Sequence, residues 1–155
     1  ISAVDLYMQN KGTMRFTFIG SGVYKRIIEE LSDKWENVDY LGYLPIEEAI
    51  EVISEHEWGL LPVKTEVLKF AFPSKTSAYI AAGCNILAVC EKNSSLADWV
   101  EKNLIGEVSS PSINNIVDTF FMIERKRPIY NRRKTNSLIY SFDHFANKLQ
   151  NIILK

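Results

Sequence analysis

The sequence predicts an α/β fold: a single Rossmann-like domain whose parallel sheet carries helices on both faces. Three observations lead there. Short strand-type runs alternate with helical patterns almost without interruption. The strand runs are continuously apolar, as in Trp58-Gly59-Leu60-Leu61-Pro62 and Asn85-Ile86-Leu87-Ala88-Val89, which suits strands covered on both sides. The length, 155 residues, fits one domain able to bury a proper core.

The elements follow in order. The chain opens at Ile1 rather than at methionine, and Val4, Tyr7 and Met8 share a helical face. It is therefore expected to begin in or just before a helix, as a fragment of a longer protein. Residues 15–20 read as a strand ending in Gly20; Gly20-Ser21-Gly22 is a tight turn, and residues 23–33 are helical through Ile27, Ile28 and Leu31. Val38-Asp39-Tyr40-Leu41-Gly42 is a short strand, and Pro45 opens a helix through Ala49, Ile50 and Ile53. A buried strand at 58–62 leads into a polar loop over 63–71, a helix at 73–82 and a strand at 85–89. A helix at 95–102, a strand at 105–108 and a helix at 112–125 come next. A last helix is expected over about 136–155, with Leu138, Ile139, Phe142, Phe145, Leu149 and Ile152 on one face.

Composition excludes several functions. A net charge of −1 gives no global attraction to nucleic acid or membrane, so nucleic acid is not an expected partner. No run is long and apolar enough to cross a bilayer, and no secretory pattern opens the chain. Cys84 and Cys90 flank one strand, six residues apart, or roughly 20 Å when extended, too far for a disulfide. Both are expected to be reduced and structural, as in the cytosol. With only His56 and His144 present, no metal site and no cofactor are expected.

The richest stretch is Phe72-Pro73-Ser74-Lys75-Thr76, followed by a helix that stops at Gly83. Pro73 suits a first helical position, and Ser74, Lys75 and Thr76 then fill the first turn. Free amides there, with the positive end of the helix dipole, suit phosphate. Lys75 adds a charge, and Ser74 and Thr76 add hydroxyls. In parallel sheets ligands sit at the carboxyl ends of strands, where Gly20-Ser21-Gly22, Gly42-Tyr43-Leu44 and the loop to Phe72 all fall. A dinucleotide fingerprint needs a third glycine where Lys25 stands, so a nicotinamide or flavin site is not expected.

In this order the motifs resemble the C-terminal, nucleotide-sugar-binding domain of a GT-B glycosyltransferase of family 4 (glycosyl transferases group 1). The matching stretches are Phe18-Ile19-Gly20-Ser21-Gly22, Asn37 to Gly42, Pro45-Ile46-Glu47-Glu48, Gly59-Leu60-Leu61-Pro62, Pro73 to Gly83, and Tyr140-Ser141-Phe142. The resemblance covers roughly residues 10–150 in unbroken order. It implies a donor-binding half, with a separate N-terminal domain of the same chain for the acceptor. By motif, Gly42, Tyr43 and Leu44 would meet the base, Ser74, Lys75 and Thr76 the phosphates or the sugar end, and Gly20, Ser21, Gly22, Phe72 and Pro73 would line the cleft. The catalytic residues are not assigned. The intact enzyme would move a sugar from a nucleotide diphosphate sugar to a glycan or lipid-linked acceptor in surface polysaccharide synthesis. Its implied place is the cytoplasm, with peripheral contact at the inner membrane face. The family's second, ribose-holding glutamate is replaced by Ala78, and eight residues before it stands Phe70. That departure leaves open a non-catalytic nucleotide-sugar-binding or scaffold module; a nucleotide-sugar epimerase, which shares the fold, is the third alternative.

Plainer readings stand beside these. Glu47, Glu48, Glu51, Glu55 and Glu57 read as a solvated helix face, and His56 as a surface or edge histidine. Trp58 and Trp99 read as core anchors and Trp35 as partly exposed. The basic residues Arg125-Lys126-Arg127 and Arg132-Arg133-Lys134 read as a solvated connector rather than as a headgroup site.

Overall fold

The structure is a computed structural model and describes residues 1–68 and 72–126. Phe70, the basic residues from Arg127 onward and the helix expected over about 136–155 lie outside the described residues.

The fold is α/β, with parallel strands flanked by helices. Its elements are α1 (Ser2–Gln9), β1 (Phe16–Phe18), α2 (Lys25–Lys34), β2 (Val38–Tyr40), α3 (Ile46–Ser54), β3 (Trp58–Pro62), α4 (Thr65–Leu68), α5 (Lys75–Ala81), β4 (Asn85–Val89), α6 (Ser95–Lys102), β5 (Gly106–Ser109) and α7 (Ile113–Arg125). Helical crossovers between neighbouring strands force the pairing to be parallel. The strands form two ladders, β1-β2 and β3-β4-β5, instead of the one continuous sheet expected. They are tied by the His56 ring, whose Nε2 lies 2.8 Å from the Thr17 hydroxyl while Nδ1 lies 2.7 Å from the Val52 carbonyl.

Side chains alternate along β4, and the helices divide accordingly. Leu87 joins α1, α7 and Leu31 of α2 in one core, while Ile86 and Ala88 join Ile80 of α5 and Leu96, Ala97 and Val100 of α6 in the other. Helices therefore cover both faces. The first core centres on Tyr7, whose ring meets Phe16, Phe120 and Phe121 at centroid distances of 4.7–5.7 Å. The Tyr7 hydroxyl accepts the Thr13 and Met14 amides at 3.1 and 3.2 Å. The Glu124 carboxylate accepts the Thr13 amide at 2.8 Å and, in a shorter contact, the Thr13 hydroxyl. Burial pushes the Tyr7 phenol up to about 12. Two residues before Tyr7 on α1, Asp5 accepts from Lys34 and the Trp35 indole at 2.7 Å each and from Gln9 at 2.8 Å.

Several boundaries differ from expectation, each for a local reason. β1 and β2 stop at residues 18 and 40 because Gly20 and Gly42, at φ 123° and 66°, turn the chain out of the extended region. The polar loop at 63–71 contains the single turn α4. Helix α5 begins at Lys75, with Ser74 at its cap and Pro73 ahead of it, and not at Pro73. The Pro73 carbonyl accepts both the amide of Thr76, at 3.2 Å, and its hydroxyl, at 2.6 Å. That tight turn displaces the helix start. The stop at Gly83 is as expected: φ is 80°, the Gly83 amide reaches the Ile80 carbonyl, and the Cys84 amide reaches Tyr79. Those two bonds make a Schellman closure. Cys84 and Cys90 are free and buried. Trp58 and Trp99 each pack against a core while remaining partly open.

Candidate functional site: the carboxyl edge of the strands

The loops after β1 and β2 meet. The Gly20 amide donates to the Gly42 carbonyl at 2.6 Å, and the Tyr40 hydroxyl donates to the Gly20 carbonyl at 2.9 Å. Glycine is needed at both turns because φ is positive. A Cβ built on Gly20, Gly22 or Gly42 would meet nothing within 4 Å, so the space above the turns is open. Ser21 and Tyr43 are exposed and Leu44 is half-buried. Helix α2 leaves this edge with no side-chain cap and no acid in its first turn, and Lys25 and Arg26 stand there, paired to Glu29 and Glu30 at 3.6 and 3.1 Å.

The second group lies after β3. Phe72 is 48% exposed and meets the Trp99 ring edge-on, at a centroid distance of 5.1 Å and an angle of 80°. Ser74 and Lys75 are exposed at the start of α5, which has no side-chain cap. Among the described residues Lys75 has no ion-pair partner, unlike Lys25, Arg26, Lys34, Lys102 and Lys126. Thr76 departs from the expected role: it is buried, and its hydroxyl is spent on the Pro73 carbonyl. Pro73 supplies that carbonyl, and its ring is half-buried. Ala78, half-buried on the next turn, offers no group to a ribose.

The structure thus gathers Gly20, Gly22, Gly42 and Tyr43 at one part of the edge and Phe72, Ser74 and Lys75 at another. His56 is not at this edge; its ring is spent between Val52 and Thr17. Of the basic connector residues, Lys126 pairs with Glu107 at 3.1 Å. Among the described residues, two grooves of about 460 Å³ each lie elsewhere, one along α7 around Asp118, Phe121 and Arg125 and one between α7 and Leu6 and Asn10 at the end of α1. Both are wide and shallow and lack a converging set of polar groups. Among the described residues no helix is long and apolar enough to cross a membrane.

No protein-family model matches this chain, and no curated protein matches it. The case for function therefore rests on the edge itself.

Proposed function

We propose that this chain is the donor-binding half of a retaining glycosyltransferase, one that moves a sugar from a nucleotide diphosphate sugar to a glycan or lipid-linked acceptor. The observation that supports this most is the union of the two glycine turns through Gly20 and Gly42, beneath open space at the carboxyl ends of β1 and β2. A nucleotide laid along the edge from there would bring its diphosphate toward α5. Ser74 and Lys75 stand exposed at that helix mouth. An uncapped helix start and an ammonium with no ion-pair partner among the described residues suit the negative charge that builds as the sugar leaves. The acceptor would be held by a further domain of the intact protein, so this chain alone is expected to bind without turnover. Surface polysaccharide assembly on the cytoplasmic side is the proposed setting.

Calorimetric titration with UDP, GDP and ADP tests the reading. Binding to at least one, weakened by Lys75→Ala in a protein that stays folded, supports it. No binding to any of them at millimolar concentration defeats it.

Ala78 favours a second reading, a nucleotide-sugar-binding module without transfer activity. A ribose-holding carboxylate gives a charged hydrogen bond of ~1.5–3 kcal/mol, and alanine cannot. Ala78→Glu is expected to tighten nucleotide binding if the ribose lies against α5. Unchanged affinity would place the ribose elsewhere.

A further inference from the structure

The two grooves along α7 share Asp118, Phe121 and Arg125 in their lining, so they form one trough. Its apolar lining is Val117, Phe121 and Met122 from α7 and Leu6 from α1. Helix α7 turns Phe120 and Ile123 into the first core, and the trough lies on its other side. Asp118 and Arg125 stand exposed there, and neither has an ion-pair partner among the described residues. An open apolar trough between two helices, without converging polar groups, suits a third helix better than a small molecule.

The chain carries a sequence with the matching pattern. Leu138, Phe142, Phe145, Leu149 and Ile152 recur in alternating steps of four and three. That is the spacing of an apolar seam between packed helices. Coiled as the spacing predicts, this stretch keeps Ser141 and Lys148 together on one flank of the seam. Such a stripe loses stabilisation if it is left in water. The connection is long enough. Helix α7 ends at Arg125, and the stretch from Arg127 to Ser137 spans up to roughly 35 Å when extended. Axes of packed helices need be only about 8–10 Å apart.

Charge then selects the direction. Asp118 and Arg125 are seven positions apart, as are Ser141 and Lys148. An antiparallel return sets Lys148 opposite Asp118 and Ser141 opposite Arg125. The same register sets Phe145 opposite Phe121 and Leu149 opposite Val117, apolar against apolar. A parallel course would set Lys148 against Arg125, where like charges repel.

We propose that residues 138–152 of this chain dock antiparallel in the trough between α1 and α7. This docking is independent of nucleotide binding at the carboxyl edge.

The test places cysteine pairs in the 155-residue chain, treats it with a short bismaleimide and locates the links by mass spectrometry after digestion. Cys84 and Cys90 are buried and are expected to stay unreactive. Asp118→Cys with Lys148→Cys, and Arg125→Cys with Ser141→Cys, are expected to link within one chain. The crossed pairs, Asp118→Cys with Ser141→Cys and Arg125→Cys with Lys148→Cys, are expected not to link. Asp118 and Arg125 are exposed, so the folded core is expected to tolerate these changes. Adding Phe145→Asp to the first pair is expected to abolish its link. Equal linking of matched and crossed pairs, or linking of neither, overturns the docking. A link that survives Phe145→Asp overturns the apolar seating. Links that join two chains overturn the return within one chain and give the trough to a second copy.

Discussion

Tyr40→Phe isolates the bond that holds the glycine turns in place. The substitution keeps the ring and its packing and removes one hydroxyl, which donates to the Gly20 carbonyl at 2.9 Å. That carbonyl lies at a half-buried turn, where water can partly replace the lost donor. The cost therefore falls within the usual net worth of a hydrogen bond, about 0.5–1.5 kcal/mol. At this chain length each kcal/mol moves the melting temperature by about 2–4 °C, so a drop of roughly 1–6 °C is expected. Loosening Gly20 also disturbs the amide that reaches Gly42, and with it the floor of the proposed site. If that floor must be ordered for binding, the same free energy reappears as weaker nucleotide affinity, up to about tenfold. Differential scanning fluorimetry and calorimetric titration with ADP read both quantities on one sample. A melting temperature unchanged within a degree would show that the hydroxyl does not brace the turn. A lower melting temperature with unaltered affinity would show that the turn is braced for stability alone, and the link from turn order to binding would be refuted.

Two further perturbations test the frame around the site. Gly106→Ala would place a Cβ 1.8 Å from the Ile86 carbonyl oxygen, on the neighbouring strand's backbone; the β4-β5 pairing must shift, and a loss of more than about 2 kcal/mol is expected in urea unfolding. Asp5→Asn removes the carboxylate that Lys34 and Trp35 hold below its ordinary range. A depressed carboxyl lends stability above the pKa of the unfolded chain and loses it as pH falls through the folded value. The unaltered protein should therefore out-melt the variant at neutral pH, with the gap closing below about pH 4; a gap independent of pH would mean the ion pair contributes nothing.

What the sequence revealed depended on how local the cause was. β3 and β4 are legible to the residue, since each is an apolar run, β3 following Glu57 and ending on Pro62 and β4 following the stop at Gly83. The stop at Gly83 is legible for the same reason, because only glycine favours the left-handed turn there. The ends of β1 and β2 were overread, because residues 19–20 and 41–42 are apolar or glycine and look extended until their dihedrals are known. Thr76 was read as a ligand hydroxyl because its type suits phosphate; its inward bond to Pro73 depends on a rotamer that no pattern reports. The break between the two ladders, bridged by His56 and Thr17, joins residues 39 apart and leaves no periodic trace.

The knot around Tyr7 makes the first helix indispensable to a strand it precedes. A shorter version of the protein starting at Met14 would keep every strand, yet it would strip the phenol from the Met14 amide and uncover Phe16, Phe120 and Phe121 at once. Attempts to trim the molecule to its sheet should therefore yield aggregating material.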